Sequence, residues 1–224
     1  MTSPSSLLYD TYYHIYNRGN NGENIFIQER NYEHFLNLHF KYIEPIAETF
    51  AYCLLRNHFH MLVRVKSEEE IKETLKVSTA NQHSIKQGNL AGKGASQSRK
   101  PLGSNYASKK FSDLFNAYAK AINKAYTRTG SLFEHPFGRV PVTTDRQFWN
   151  VIAYIHQNPQ KHKFVEDFRN WKWSSYGIII AEKPTKLSRE AVLDWFGGKQ
   201  GYLELHEKWF SDSDSKWFAE DDYD

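Results

Sequence analysis

The 224-residue sequence contains one cysteine, Cys53. A single thiol excludes an internal disulfide framework and fits a reducing compartment. Its setting in the apolar run "FAYCLL" reads as a buried core side chain. No apolar run approaches the roughly 18 residues that would indicate a membrane span, so membrane functions are set aside. The first ten residues, "MTSPSSLLYD", have neither a basic stretch nor an adequate apolar core, so no signal peptide is expected. No internal repeat is present. Residues 78–110 contain no acid and a single aromatic residue, but six Lys or Arg. A stretch so poor in apolar groups is expected to be a flexible basic loop, suited either to a phosphate backbone or simply to solvent.

What is present is enough for a sizeable core: 40% hydrophobic and 16% aromatic residues, with 25% charged. The net charge of +3 hides an asymmetry. Residues 211–224, "SDSDSKWFAEDDYD", hold six acids and one Lys, so the rest of the chain carries +8. A basic body with an acidic tail suits a polyanion binder whose tail competes for the same surface; a solubilising tail is the plainer alternative.

Periodicity predicts a strand over residues 11–19, then a turn and a short strand in "NNGENIFI". A helix follows and stops at Pro45, then two strands, "TFAYCLL" and "FHMLVRV", paired across "RN". A short helix is expected over 67–77 and a strongly amphipathic one over 111–130. "FGRVPVTT" reads as an edge strand because of Pro141. Residues 144–159 read as a helix capped by Thr144 or Asp145 and ended at Asn158-Pro159. Two short helices complete the chain. The expected architecture is α+β: an antiparallel sheet with helices on one face, ferredoxin-like, with a C-terminal helical extension. The expected organisation is an N-terminal tail (1–11), a main domain (12–178) with a basic insertion (78–110), the extension (179–210) and the acidic tail (211–224).

The segment "NHFHMLVRV" places His58 and His60 two residues apart at the start of a strand. Residues i and i+2 share a strand face, so both imidazoles can meet one metal ion. With 10 His in the chain, chance alone yields about 0.4 such pairs, and surface or capping histidines remain open. A second segment adds weight. On the helix of 144–159, Tyr154 and Asn158 are four apart and share a face flanking the apolar stripe of Phe148, Val151, Ile152 and Ile155. Asn158 can offer an amide oxygen as a third ligand beside two imidazoles. An ordinary core tyrosine and an ordinary asparagine ahead of proline are the alternatives.

Together, "YNRGNNGENIF", "NHFHMLVRV", "GSLFEHPFGRVPV" and "YIHQNPQKHKFV…WKWSSYG" resemble the HUH single-tyrosine transposases, closest to the REP-associated branch. The resemblance runs from about residue 12 to 178. It implies that His58, His60 and Asn158 hold a divalent ion, Mg²⁺ or Mn²⁺, and that Tyr154 is the nucleophile. It also implies a substrate of single-stranded DNA beside a hairpin, and Arg18, Gly19 and Asn20 correspond to the family's "RGN". The long 78–110 segment departs from the family pattern, and His156 falls at a variable position with no assigned role. The expected activity is metal-dependent DNA nicking and strand transfer through a 5′-phosphotyrosine. Two alternatives stand: a silent nucleic-acid-binding module on the same fold, and a metal hydrolase with a water nucleophile. Tyr12, Tyr16, Arg18 and Asn20 are candidates for base contacts. Lys109, Lys110, Lys120, Lys124, Arg128 and Arg139 are candidates for phosphates, each with a solvated surface role as its alternative. A cytoplasmic, nucleoid-associated location is expected, with no membrane partner. The expected state is monomer or homodimer; dimeric relatives exchange the Tyr-bearing helix, and the extension looks more like the monomeric branch.

Overall fold

A computed structural model describes residues 5–86 and 101–211. Its sheet has four strands, β1 (Tyr12–Arg18), β2 (Ala47–Leu54), β3 (His58–Val65) and β4 (Gly138–Val142). The spatial order is β2-β3-β1-β4, and every pairing is antiparallel. Helix α1 (Glu29–Tyr42) follows β1, and α2 (Glu68–Lys86) and α3 (Tyr106–Ala125) lie between β3 and β4. Leaving α2 aside, the order is β-α-β-β-α-β, the split ferredoxin-like arrangement. The expected strand in "NNGENIFI" is not formed. A single 3-10 turn at Asn20–Gly22 occupies its start, with Asn21 and Gly22 at positive φ. Ile25 and Phe26 instead donate their N–H groups to the Arg56 carbonyl and bury their side chains, so the apolar pattern marks a packed loop.

Alternation along the strands divides the core. Tyr13, Ile15, Phe59, Met61 and Val63 point to one face of the sheet. There α1 and α3 pack together, Phe35 meeting Phe59 at 5.0 Å and Phe115 meeting Phe59 at 5.5 Å between ring centroids. These are the helices of the expected single face. The opposite face, carrying Tyr12, His14, Tyr16, His58 and His60, is covered by α4 (Asp145–Lys161). A β-bulge between Thr49 and Ala51 turns Phe50 toward that face, where it meets Phe148 of α4 at 5.5 Å.

Helix α4 starts where the cap predicts, with the Thr144 side chain accepting from the Gln147 N–H. It does not stop at Pro159 but runs to Lys161. Proline deletes only its own N–H bond, and Pro159 is buried in the packed face of the helix. The next turn is closed by His162 N–H to the Asn158 carbonyl and Phe164 N–H to the Pro159 carbonyl.

The expected loop of 78–110 is also shorter than its composition implied. Residues through Lys86 continue α2 and those from Tyr106 begin α3; residues 87–100 lie outside the described structure, as does the tail 212–224. Among the described residues, the two expected C-terminal helices are three: α5 (Tyr176–Ile180), α6 (Arg189–Trp195) and α7 (Lys199–Ser211).

The segment "WKWSSY" has a structural job. It lines the outer edge of β2: Leu54 N–H donates to the Trp173 carbonyl, Ser175 N–H to the Tyr52 carbonyl, and Trp171 Nε1–H to the Leu54 carbonyl. Trp173 stacks on Tyr32 at 4.6 Å. The sheet edge is thereby closed against a stray strand.

Candidate active site

Register decides the site. Antiparallel pairing sets Tyr16 opposite His60 and Arg18 opposite His58, all on the face that α4 covers. The helix brings Tyr154 and Asn158 down on the same ground. His58 Nε2 and Asn158 Oδ1 stand 3.3 Å apart. The Tyr154 ring meets His60 edge-on at 5.3 Å and His14 edge-on at 5.8 Å. The four residues singled out in two distant segments are neighbours in space.

Hydrogen bonds set the chemistry of each ring. His58 Nδ1 lies 2.8 Å from the Asn57 side-chain oxygen, which can only accept, so Nδ1 carries the proton. In the neutral ring Nε2 then bears a lone pair. Asn158 donates its amide N–H to the Tyr154 carbonyl at 3.4 Å, which directs its oxygen toward His58. In that neutral form His58 Nε2 and Asn158 Oδ1, 3.3 Å apart, both accept, and a cation between them would satisfy both; a protonated His58 would instead donate to Asn158.

His60 uses its Nδ1 on His14 Nε2 at 3.0 Å, so it too keeps Nε2 for a ligand. Burial holds its pKa well below the ordinary value, so the ring is neutral at pH 7. Burial likewise depresses His14, to about 3. Neutral imidazoles whose second nitrogen is tied to a partner are the form in which histidine binds metal. No cluster of three His, Cys, Asp or Glu in metal-holding geometry occurs among the described residues. The donor set here is two imidazoles and one amide oxygen, which suits Mn²⁺ and, less closely, Mg²⁺.

Tyr154 is only 1% exposed. Its ring is packed between α4 and the sheet, with Lys161 Nζ 5.2 Å from the ring centroid. Three residues at this site had no assigned role in the sequence reading. His14 supports His60, His162 lies 4.9 Å from the His58 ring, and Lys161 sits over the tyrosine. Their only sequence signal was proximity: "TYYHIY" lies on the first strand, and "NPQKHK" follows Asn158 directly.

His156 is the hub behind the helix. Its Nδ1 lies 2.9 Å from His206 Nε2 of α7 and its Nε2 2.7 Å from Ser175 Oγ. Ser175 Oγ also accepts from the Tyr52 N–H of β2. Gln157 donates to the His206 carbonyl at 2.7 Å. All of these groups are buried, and burial keeps both histidines neutral, His206 with a pKa of about 4 and His156 well below its ordinary value. The network ties the Tyr-bearing helix to its own chain's extension.

The expected DNA contacts fare unevenly. Tyr12 is taken up by packing against Phe50, Phe148 and Trp195, which places it in a satellite of the core. Tyr16 lies beside His14 and His60, at 5.1 and 5.9 Å. Arg18 pairs with Glu134 at 3.4 Å, and the Asn20 N–H donates to the Leu132 carbonyl. Lys109 and Lys110 both meet Asp113, and Arg128 pairs with Glu23. Lys124 is exposed at the end of α3. Lys120 and Arg139 line a cleft beside α3, on the far side of the sheet from the histidines.

No protein family's model matches the sequence, and no curated protein matches it. Among solved structures, the chain is similar to a REP-associated tyrosine transposase bound to a REP hairpin. The TM-score is 0.53 at 13% identity, over 82% of this chain and 88% of that one. At that identity the likeness is one of architecture: this chain has the fold of a REP-associated tyrosine transposase.

Proposed function

We propose that the protein is a metal-dependent single-stranded DNA nickase and strand transferase with Tyr154 as nucleophile. The observation that carries the reading is the convergence of His58, His60, Asn158 and Tyr154 on one face of the sheet, with His58 Nε2 and Asn158 Oδ1 3.3 Å apart. The similar transposase was solved with a DNA hairpin, which supports DNA as the partner here.

His58, His60 and Asn158 would hold the ion. When bound, it polarises a phosphate and stabilises the charge developing there. The residues of the chain do the rest. Asn57 and His14 fix the imidazole tautomers. Lys161 puts a positive charge beside the phenol, where tyrosinate and phosphate charge develop together. A phenol with an ordinary pKa near 10 is a weak nucleophile at neutral pH, so that charge matters. Tyr154 Oη bonds to phosphorus and its proton passes to solvent. The bond from phosphorus to the 3′-oxygen breaks, and the 3′-oxygen leaves as a hydroxyl after taking up a proton. The 5′-phosphotyrosine retains a phosphodiester-like bond, so attack by another 3′-hydroxyl rejoins DNA without ATP.

The burial of Tyr154 favours a second reading, a nucleic-acid-binding module that does not cut. One experiment decides. Labelled single-stranded hairpin DNA is incubated with the protein and Mn²⁺, then run on a denaturing gel. A protein–DNA adduct lost with EDTA and with Tyr154→Phe is the expected result. Binding with no adduct in any divalent metal establishes the silent module. Cleavage that survives Tyr154→Phe removes the nucleophile assignment and leaves a metal hydrolase.

A further inference from the structure

At the outer edge of β2, away from the histidines, a cleft of about 350 Å³ opens between Phe40 of α1, Tyr52 of β2 and the 177–189 segment of the extension. Its size falls within the roughly 300–1,000 Å³ of ligand pockets. The wall is chiefly apolar, built from the Phe40 and Tyr52 rings with Ile178, Pro184 and Leu187. No acid lines it, whereas Lys183, Lys186 and Arg189 do. The Lys186 charge is met by Glu44 at 2.7 Å. Lys183 is exposed, with no ion pair among the described residues.

Two buried side chains in this wall carry donors that the protein itself leaves unmet. Arg189 is 9% exposed. Its Nε and Nη2 donate to the Ile178 carbonyl, and Nη2 also to the Lys183 carbonyl at 2.6 Å. Nη1 donates to no described group, and no carboxylate pairs with the guanidinium among the described residues. A charge at this depth is ordinarily paired, because taking it out of water uncompensated is costly. Tyr52 is 4% exposed, and its hydroxyl has no hydrogen-bond partner among the described residues. Burial raises its pKa, so the phenol keeps its proton at neutral pH and can donate. Both side chains line the cleft, so the cleft is where an acceptor can reach these two donors.

We propose that this cleft binds a small carboxylate with an apolar body. The carboxylate accepts from Arg189 Nη1 and the Tyr52 hydroxyl, and the body packs on Phe40, Ile178 and Leu187. One open guanidinium nitrogen and one hydroxyl suit a singly charged group. A phosphate dianion would leave acceptor oxygens against an apolar wall. The cleft is separate from the histidine site: Tyr52 sits opposite Met61 in the sheet, on the side that α1 covers. A ligand here joins α1, β2 and the extension next to Ser175, whose Oγ accepts from the Tyr52 N–H and meets His156. Binding therefore also braces the clamp behind α4.

The test uses the full chain, ¹⁵N-labelled, titrated separately with 3-phenylpropionate, octanoate, 3-phenylpropionamide and acetate. Amide shifts clustered at 177–190 and at Tyr52 are expected with 3-phenylpropionate, octanoate or both, saturating on the order of 1 mM. Which of the two binds tells an aromatic body from an aliphatic one. No clustered shifts with either overturns the proposal. So does equal binding of 3-phenylpropionamide, which would show that the carboxylate is not read. Acetate reproducing the shifts at the same concentrations overturns it too, because the apolar wall would then contribute nothing. Arg189 also holds two carbonyls, so the protein variant is Tyr52→Phe, which removes one unpartnered oxygen and keeps the ring. Its thermal midpoint without ligand should match the wild type, and its affinity for the tighter carboxylate should fall about tenfold. Wild-type affinity in that variant overturns the proposal. None of these readouts depends on DNA cleavage.

Discussion

At the residue scale, two glycines shape the site by what they leave out. Gly19 has ordinary φ, so its role is space: an added Cβ would overlap the Glu23 carbonyl, while its N–H donates to the Asn57 carbonyl. Asn57 in turn orients His58. Gly138 faces Tyr16 across the β1–β4 pair, and an added Cβ would overlap the Tyr16 ring. The ring can rotate away where a carbonyl cannot. Gly138→Ala is therefore expected to lower adduct formation on the order of tenfold or more by displacing Tyr16 from His14 and His60, with little loss of stability. Gly19→Ala is expected to cost about 1–3 kcal/mol in a urea melt, as overpacking against backbone does. Equal stability losses in the two variants would show that Tyr16 has no separate role.

At the scale of elements, α4 is held from both sides. Its inner face presses Tyr154 and Phe148 on the sheet, and its outer face carries His156 and Gln157 into the network with α7. Anchored this way to its own extension, the helix covers the sheet of its own chain, and His58, His60, Tyr154 and Asn158 are brought together within it. His206→Ala removes one of the two groups on the buried His156 Nδ1, leaving it the Tyr202 hydroxyl at 3.2 Å, and opens a buried gap where the imidazole lay. The expected cost is about 1–3 kcal/mol of stability, read by chemical denaturation, with adduct formation falling beyond what the unfolded fraction explains. An adduct yield that simply tracks the folded fraction would reduce the network to a structural prop. The element scale is also where the sequence was most legible. Strands β1, β3 and β4, the α3 stripe and the Thr144 cap follow from periodicity and capping. The missed features share one cause. Ile25, Phe26 and Pro159 are fixed by burial against distant segments, and local pattern carries no information about that.

At the scale of the whole molecule, buried neutral histidines couple the fold to pH. His39 is fully buried on α1, bonded to Thr49 of β2 at 2.9 Å, and burial lowers its pKa to about 3. His206 is lowered to about 4 by the same cause. In the unfolded chain each returns to about 6.5. Between those values the unfolded state binds more protons, so stability is full above pH 6.5 and falls as the pH drops toward 3. Urea midpoints measured from pH 7.5 to 4.5 should decline through that window. His39→Gln should flatten the decline, and an unchanged slope would mean that His39 does not carry it.

Composition, spacing and capping were enough to establish a basic α+β chain with two candidate segments, His58/His60 and Tyr154/Asn158. Those features are local: i,i+2 on a strand and i,i+4 on a helix put side chains on one face whatever the rest of the chain does. Only the tertiary structure could decide that the two faces meet, that His14, His162 and Lys161 join them, and that His156 clamps the helix from behind. Each of these depends on strand register and on which sheet face a helix covers. Long-range packing sets both, and no window of sequence contains it.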